Sequence, residues 1–231
     1  MRRSPIILLV ALLLLSSACK SKLEGTPLAD PAVPVGLAPA ASGVRQLAAK
    51  TLTDDQVALF GRHGDGETIP FLIGETTKFS LLKACSQPLP LGERAVRAAQ
   101  STWSAMEKGT ASVSQAIGYY EATPGSAVLA EVKQALACGS HESGSGPARI
   151  AGEVPLPVIT GADAQYAFCD APYAPSYNPQ GPAHPGSCYL LMAKASYATT
   201  VQLTPWEMNG QEPLRDMLTK IAPMVADALG R

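Results

Sequence analysis

The chain has 231 residues, 46% of them hydrophobic, with 20 Gly and 20 Pro; it has the apolar content of a globular protein and an excess of turn formers. Charged residues make up only 16% against the ~25% of ordinary domains, which excludes charge-driven disorder and long, solvent-laced helices such as coiled coils. A formal charge of −1 with no Lys/Arg block leaves no electrostatic footprint for nucleic acid and no basic surface to hold an anionic membrane unaided.

Met1-Arg2-Arg3 is followed by an unbroken apolar run from Ile6 to Leu15 and by Ser16-Ser17-Ala18 directly before Cys19. Ten apolar residues at 1.5 Å per residue are too short for a hydrocarbon core about 30 Å thick, so the pattern is that of a signal peptide over residues 1–18. Small residues immediately ahead of a cysteine resemble the bacterial lipoprotein signal. That resemblance implies cleavage before Cys19, a diacylglyceryl thioether on its sulfur and an acyl chain such as palmitate on the new amine. Ser16 stands where Leu is commoner in that motif. The competing reading is an ordinary secretory peptide cut near Ala18, leaving a free thiol. Two or three acyl chains suffice to hold a soluble body on a bilayer, where one does not. The expected location is therefore the extracytoplasmic face of the cell membrane, with the membrane as a partner through the lipid.

Without residues 1–18 the chain carries 16 basic and 19 acidic groups. The lipidated Cys19 and a Pro/Ala-rich tether are expected over residues 19–48, and the folded domain over 49–231. Pro27, Pro31, Pro34 and Pro39 fall between Lys20 and Ser42 with no helical or strand period, the mark of a flexible coil with an r.m.s. reach of roughly 25–30 Å. Alternation of Val33, Val35 and Leu37 permits a second reading, an extended arm along the domain.

In the folded part, Thr53-Asp54-Asp55-Gln56 forms a capping box ahead of Val57, Leu59 and Phe60 and predicts a short helix. Two β-rich runs follow, Ile69–Ile73 and Thr76–Leu81, beside the turn formers Gly64-Asp65-Gly66 and Gly74. Val96, Ala99, Trp103 and Met106 recur at spacings of three and four and predict an amphipathic helix over Glu93–Lys108 with Trp103 facing the core. Ser112–Tyr120 alternates as a strand. Pro124-Gly125-Ser126 turns into a helix bearing Val128, Leu129, Val132 and Leu136 that ends at Cys138, with Gly139 following. Gly139–Gly146 reads as a surface loop. Strands are expected at Ile150–Val154 and Gln165–Cys169, then a hairpin of Tyr189–Lys194 and Tyr197–Leu203. A last helix over Glu212–Leu229 contains Pro223, which should kink or split it. The class is α+β, with a mostly antiparallel central sheet flanked by helices.

Four cysteines remain after Cys19, and in an oxidising compartment they read as two disulfides. Three connectivities are open; sequential pairing, Cys85 with Cys138 and Cys169 with Cys188, is the one taken here. His63, His141 and His184 are scattered and no C-x-x-C or H-x-x-x-H spacing occurs, so neither a metal site nor a cofactor is expected.

Cys85, a segment with Trp103, the run Val113-x-Gln115-x-Ile117-x-Tyr119-Tyr120, Ala127 and a helix ending in Cys138 resemble the extracellular sensor domain of PknH-type mycobacterial serine/threonine kinases. Cys169 before a loop, Cys188-Tyr189-Leu190-Leu191-Met192, Val201 in the partner strand and the closing helix are similar as well, so the likeness spans Leu52 to Leu229. It implies a central sheet with flanking helices, two intramolecular disulfides and a groove for an extracellular ligand. It also implies the stand-alone lipoprotein arrangement found in actinobacteria. Neither a stretch of transmembrane length nor a kinase motif accompanies it, so signalling by phosphorylation is not implied.

Asp170 to Ser187 has no counterpart in that pattern. It holds five prolines, Tyr173, Tyr177 and His184 between two cysteines. Proline and loop closure both reduce the freedom of such a segment, and rigid aromatic contacts lose little entropy on binding. Tyr173, Tyr177, His184 and Trp206 are therefore the candidate ligand-binding residues. The alternatives are a stapled loop without function and, for Trp206, a core aromatic. No nucleophile elbow, Ser-x-x-Lys, His-Glu-x-x-His or phosphate loop occurs. Asp54 and Asp55 are adjacent and diverge on a helix, and His141, Asp163 and Asp170 could meet only through folding. No catalytic residue is assigned. The expected function is a non-catalytic, sensor-like module binding an extracellular small molecule or an envelope protein; the alternatives are an envelope hydrolase and a structural lipoprotein.

Overall fold

The computed structural model describes residues 43, 45–71, 73, 78–85, 89–143, 146–173 and 183–231, all within the unit Pro39–Arg231. The leader, Cys19, the proline-rich stretch up to residue 42 and Tyr177 lie outside the described residues. Among those described, nine strands form one antiparallel sheet: β1 (Glu67–Phe71), β2 (Lys83–Ala84), β3 (Arg97–Trp103), β4 (Thr110–Tyr119), β5 (Ser140–Ser143), β6 (Gly146–Glu153), β7 (Ala164–Asp170), β8 (Cys188–Lys194) and β9 (Tyr197–Trp206). Their spatial order is β1-β3-β4-β9-β8-β7-β6-β5-β2. Helices α1 (Asp54–Ala58), α2 (Gly125–Leu136) and α3 (Glu212–Gly230) complete the α+β architecture expected from the sequence.

Strand β8 lies in the sheet interior, and its apolar run explains why: Cys188 through Ala193 are buried on both faces, the pattern of a strand covered from two sides. On one face Leu190 and Met192 pack with Val201, Leu203, Val113 and Ile117 against Leu214, Leu218, Ile221, Val225 and Leu229 of α3. On the other, Tyr189 and Leu191 pack with Phe168 and Ala198 against Val128, Leu129, Val132 and Leu136 of α2. Each helix presents its i, i+3, i+4 stripe to a separate half of the core. At the first residue of α2, Gly125, an added Cβ would lie 2.1 Å from the Tyr197 carbonyl oxygen, so only glycine lets the helix sit on the β8–β9 hairpin. Below α3, the fully buried Gln115 accepts from Leu52 N–H at 2.8 Å and donates to Thr199 Oγ1 at 3.1 Å; these bonds pin the N-terminal segment, with Leu47 in the core, to the sheet.

The capping box at Thr53 is present in full, and the hairpin, the strand at β4 and the α2 helix stand where the sequence predicts them. Both disulfides follow sequential pairing, Cys85–Cys138 and Cys169–Cys188. The second joins directly opposed residues of β7 and β8.

Three expectations are corrected. The predicted helix Glu93–Lys108 is a 3-10 turn, Gly92–Arg94, followed by β3. Val96 and Met106, which completed the helical spacing, are about half exposed at 48% and 51%. The β3 backbone is paired with β1 and β4 on both edges, and that ladder overrides a coincidental period. Trp103 is nevertheless buried, as predicted. The Gly139–Gly146 stretch is not all loop: it contributes β5 and the start of β6, whose alternating exposure involves too few apolar residues to register in a hydropathy reading. In the second β-rich run, described residues 78–81 form no strand, and pairing resumes only at β2.

Helix α3 is not split at Pro223. Pro223 and Thr219, one turn before it, are both exposed, while Ile221, Ala222, Val225 and Ala226 hold the buried side in place. At the helix's C-terminal end Lys50 Nζ donates to the Leu229 carbonyl at 3.0 Å. Burial first, then the neighbouring charges of Lys194 and Arg231, lower the Lys50 pKa; three cations thus gather where the helix dipole is negative.

Candidate functional site

Strands β7 and β8 run into the proline- and tyrosine-rich segment at a neck built in two rungs. The Cys169–Cys188 disulfide is the first. The second is an isolated antiparallel bridge in which Tyr173 N–H donates to the His184 carbonyl at 3.0 Å and His184 N–H donates to the Tyr173 carbonyl at 2.7 Å. Above that bridge the Tyr173 and His184 rings lie 4.8 Å apart at 30°. Gly186 N–H donates to His184 Nδ1 at 3.1 Å, which leaves the ring proton to Nε2 and fixes one neutral tautomer. Partial burial lowers the His184 pKa, and the charge of Asp170 opposes that shift.

The neck stands on a buried polar platform. Asp170 Oδ1 lies 2.6 Å from His141 Nε2, and Oδ2 accepts from Tyr189 O–H at 3.3 Å. Gln202 Nε2 donates to Tyr189 Oη at 3.2 Å and to Ser187 Oγ at 3.4 Å. Gln211, at the start of α3, donates to the backbone carbonyls of Asp170 and Pro185. Phe168 and Tyr189 stack with centroids 4.8 Å apart, and His141 meets Tyr189 edge-on at 4.8 Å. Burial, and after it the charge of Asp170, push the Tyr189 hydroxyl well above its ordinary pKa, so it stays protonated and donates.

The second His141 nitrogen, Nδ1, faces the Glu142 carbonyl oxygen at 3.2 Å. Both ring nitrogens therefore meet acceptors, a carbonyl and a carboxylate. Neither ring nitrogen is turned toward a nucleophile. The nearby hydroxyl of Ser187 instead donates to Thr204 Oγ1 at 3.4 Å. The platform is equipped to hold the neck in position.

Beside the neck lies a cleft of about 280 Å³ lined by Arg149, Tyr173, Ser143, Pro147 and Pro172 among others. Tyr173 is 42% exposed. Arg149 has no ion-pair partner among the described residues. The cleft thus offers a cation, a half-free aromatic face and proline surfaces, a combination suited to recognition.

Of the predicted site residues, Tyr173 and His184 are brought together. Trp206 is not part of the neck: it ends β9 opposite Thr110 and is 40% exposed, so the core-aromatic alternative is overturned. The trio of His141, Asp163 and Asp170 is only partly assembled, because Asp163 Oδ2 instead accepts from Ala195 N–H at 2.6 Å in the β8–β9 turn. Tyr189, Gln202 and Gln211 carry no sequence signal as site residues; their roles follow from sheet register and from where α3 begins. Among the described residues, no three His, Cys, Asp or Glu converge as metal ligands, and no helix is long and apolar enough to cross a membrane.

Neither a protein-family model nor a curated protein matches this sequence.

Proposed function

We propose that the chain is a membrane-anchored envelope lipoprotein whose folded body is a non-catalytic, sensor-like binding module, as the resemblance to PknH-type sensor domains also implies. The leader composition and the small residues before Cys19 support the anchor. One observation carries the binding role: the Tyr173–His184 ring pair at 4.8 Å, held by a bridge and a disulfide above a buried His–Asp pair. Side chains locked in this way lose little freedom when a partner docks. In a hydrolase, by contrast, the His141–Asp170 pair would need a ring nitrogen facing a nucleophile, and here the second nitrogen faces a backbone carbonyl.

The ligand is an extracellular small molecule or an exposed segment of an envelope protein, received at the neck and the Arg149 cleft. A thermal-shift screen of the full chain in detergent, against envelope extracts fractionated into glycan, lipid and protein, tests this reading. A rise in melting temperature with one fraction, lost in Tyr173→Ala and Arg149→Ala, is the expected result. No rise with any fraction, or a rise that both variants retain, counts against it.

A further inference from the structure

A second cleft lies on the sheet face that α2 covers only in part. About 440 Å³ in volume, it sits against β1 and β3 and is lined by Asp65, Glu67, Ile69, Phe71, Gln100 and Thr102, with Pro70 and Ser104 at its margins. Register explains the composition. Glu67 lies opposite Thr102, Ile69 opposite Gln100 and Phe71 opposite Ala98, so every second residue of both strands faces the same side. Ala98 is buried with the α2 half of the core, whereas Gln100 and Thr102 emerge beyond it and are exposed. Ile69 is 54% exposed and Phe71 37%. The Phe71 ring is held edge-on by Phe79 at 5.4 Å.

The polar floor continues across the sheet. Thr102 Oγ1 and Ser114 Oγ are 3.3 Å apart, Ser114 lies opposite Gln202, and Gln202 reaches the Tyr189 hydroxyl. One row of hydroxyl and carboxamide groups thus crosses β3, β4, β9 and β8 at the interstrand spacing of about 4.8 Å. These groups both donate and accept hydrogen bonds. At the outer end, Asp65 and Glu67 accept only. Among the described residues no Lys or Arg lines the cleft, and the two carboxylates repel an anion.

Resting on the reading of the body as a binding module, we propose that this cleft binds a neutral saccharide. A pyranose has hydroxyls that donate and accept, which suit Gln100, Thr102, Asp65 and Glu67. It also has an apolar C–H face, which suits Phe71 and Ile69. A saccharide laid across the strands would meet Glu67 on β1 and Gln100 and Thr102 on β3, with the Ser114 hydroxyl one strand further on. Charge complementarity disfavours an acidic glycan at the same place.

Calorimetric titration of the full chain in detergent with chitotetraose, cellotetraose and maltotetraose, with tetragalacturonate as the anionic control, tests the assignment. At least one neutral saccharide is expected to bind, with tetragalacturonate weaker. Gln100→Ala and Thr102→Val should each weaken that binding by about tenfold, the equivalent of roughly 1.4 kcal/mol, because both side chains are exposed and their removal leaves the core intact. Tyr173→Ala should leave it unchanged. Absence of binding by all three neutral saccharides overturns the proposal, as does tighter binding of the anion. Binding lost with Tyr173→Ala but not with Gln100→Ala would also overturn this site while leaving the neck reading in place.

Discussion

The Asp54 carboxylate accepts the indole N–H of Trp103 at 2.7 Å and, through the same oxygen, the backbone N–H of Gly66 at 2.9 Å. One side chain in the first turn of α1 thereby fastens both the strand that carries the second cleft and the turn leading into β1. The glycine is required by proximity: a Cβ on residue 66 would lie 1.9 Å from Trp103 Nε1. The Trp103 bond, and after it the Gly66 bond, hold the Asp54 pKa below its ordinary value.

Replacing Asp54 with Ala is therefore expected to destabilise the fold by about 1–2 kcal/mol, because it leaves the donor of a buried indole without its partner. Asp54→Asn retains one acceptor oxygen and should cost less. The depressed folded pKa fixes the sign of the pH effect. The contribution is complete above the unfolded carboxyl value near 3.8 and is lost as pH falls through the lower folded value. Urea melts of wild type and Asp54→Asn between pH 2 and 6 should converge on the acid side; curves that stay parallel would refute the bond's role.

The two disulfides should differ in accessibility. Cys169 and Cys188 are fully buried, whereas Cys138 is exposed and Cys85 is partly so. Under native conditions a mild reductant should open Cys85–Cys138 first, as read by alkylation and peptide mapping. Loop-closure entropy assigns about 4 kcal/mol to the bridge separated by 53 residues and about 3 kcal/mol to that separated by 19. Earlier alkylation of Cys169 and Cys188 would show that the neck opens more readily than the rim of α2.

Much of this architecture is legible in the sequence wherever one local rule acts alone. The Thr53 capping box, the helix carrying Val128 to Leu136 and the hairpin of Tyr189–Lys194 with Tyr197–Leu203 each need only nearby residues, and each is found as read. Glu93–Lys108 misleads because Ala99 and Trp103 fit both a helical and a strand spacing, and only pairing with distant β4 decides between them. At the site, Tyr173 and His184 announce themselves by residue type within a proline-rich, cysteine-bounded segment. The platform beneath does not, since His141 and Asp170 are 29 residues apart and meet across the β5–β6–β7 pairing. The second cleft is likewise a product of register, which brings Glu67, Ile69 and Phe71 of β1 beside Gln100 and Thr102 of β3.

His184 provides a titration that reports on the neck. Burial lowers its pKa from the ordinary 6.5, so the ring contributes fully to neck stability above that value, and the contribution is lost as pH falls through the lower folded value. A two-dimensional NMR titration of the imidazole should give a midpoint below 6.5, with the Tyr173 ring resonances moving in step. A midpoint at or above the ordinary value would mean that the ring is solvated and the neck open.

The proposed extracytoplasmic location underlies the reading of the cysteines as oxidised and of the body as a binding module, and the mass of the N-terminal peptide from protein extracted out of native membranes tests it most directly. The account predicts a chain beginning at Cys19, with a diacylglyceryl thioether on its sulfur and residues 1–18 gone. An unmodified Cys19 thiol, or an intact leader on protein recovered from the cytosol, would contradict it.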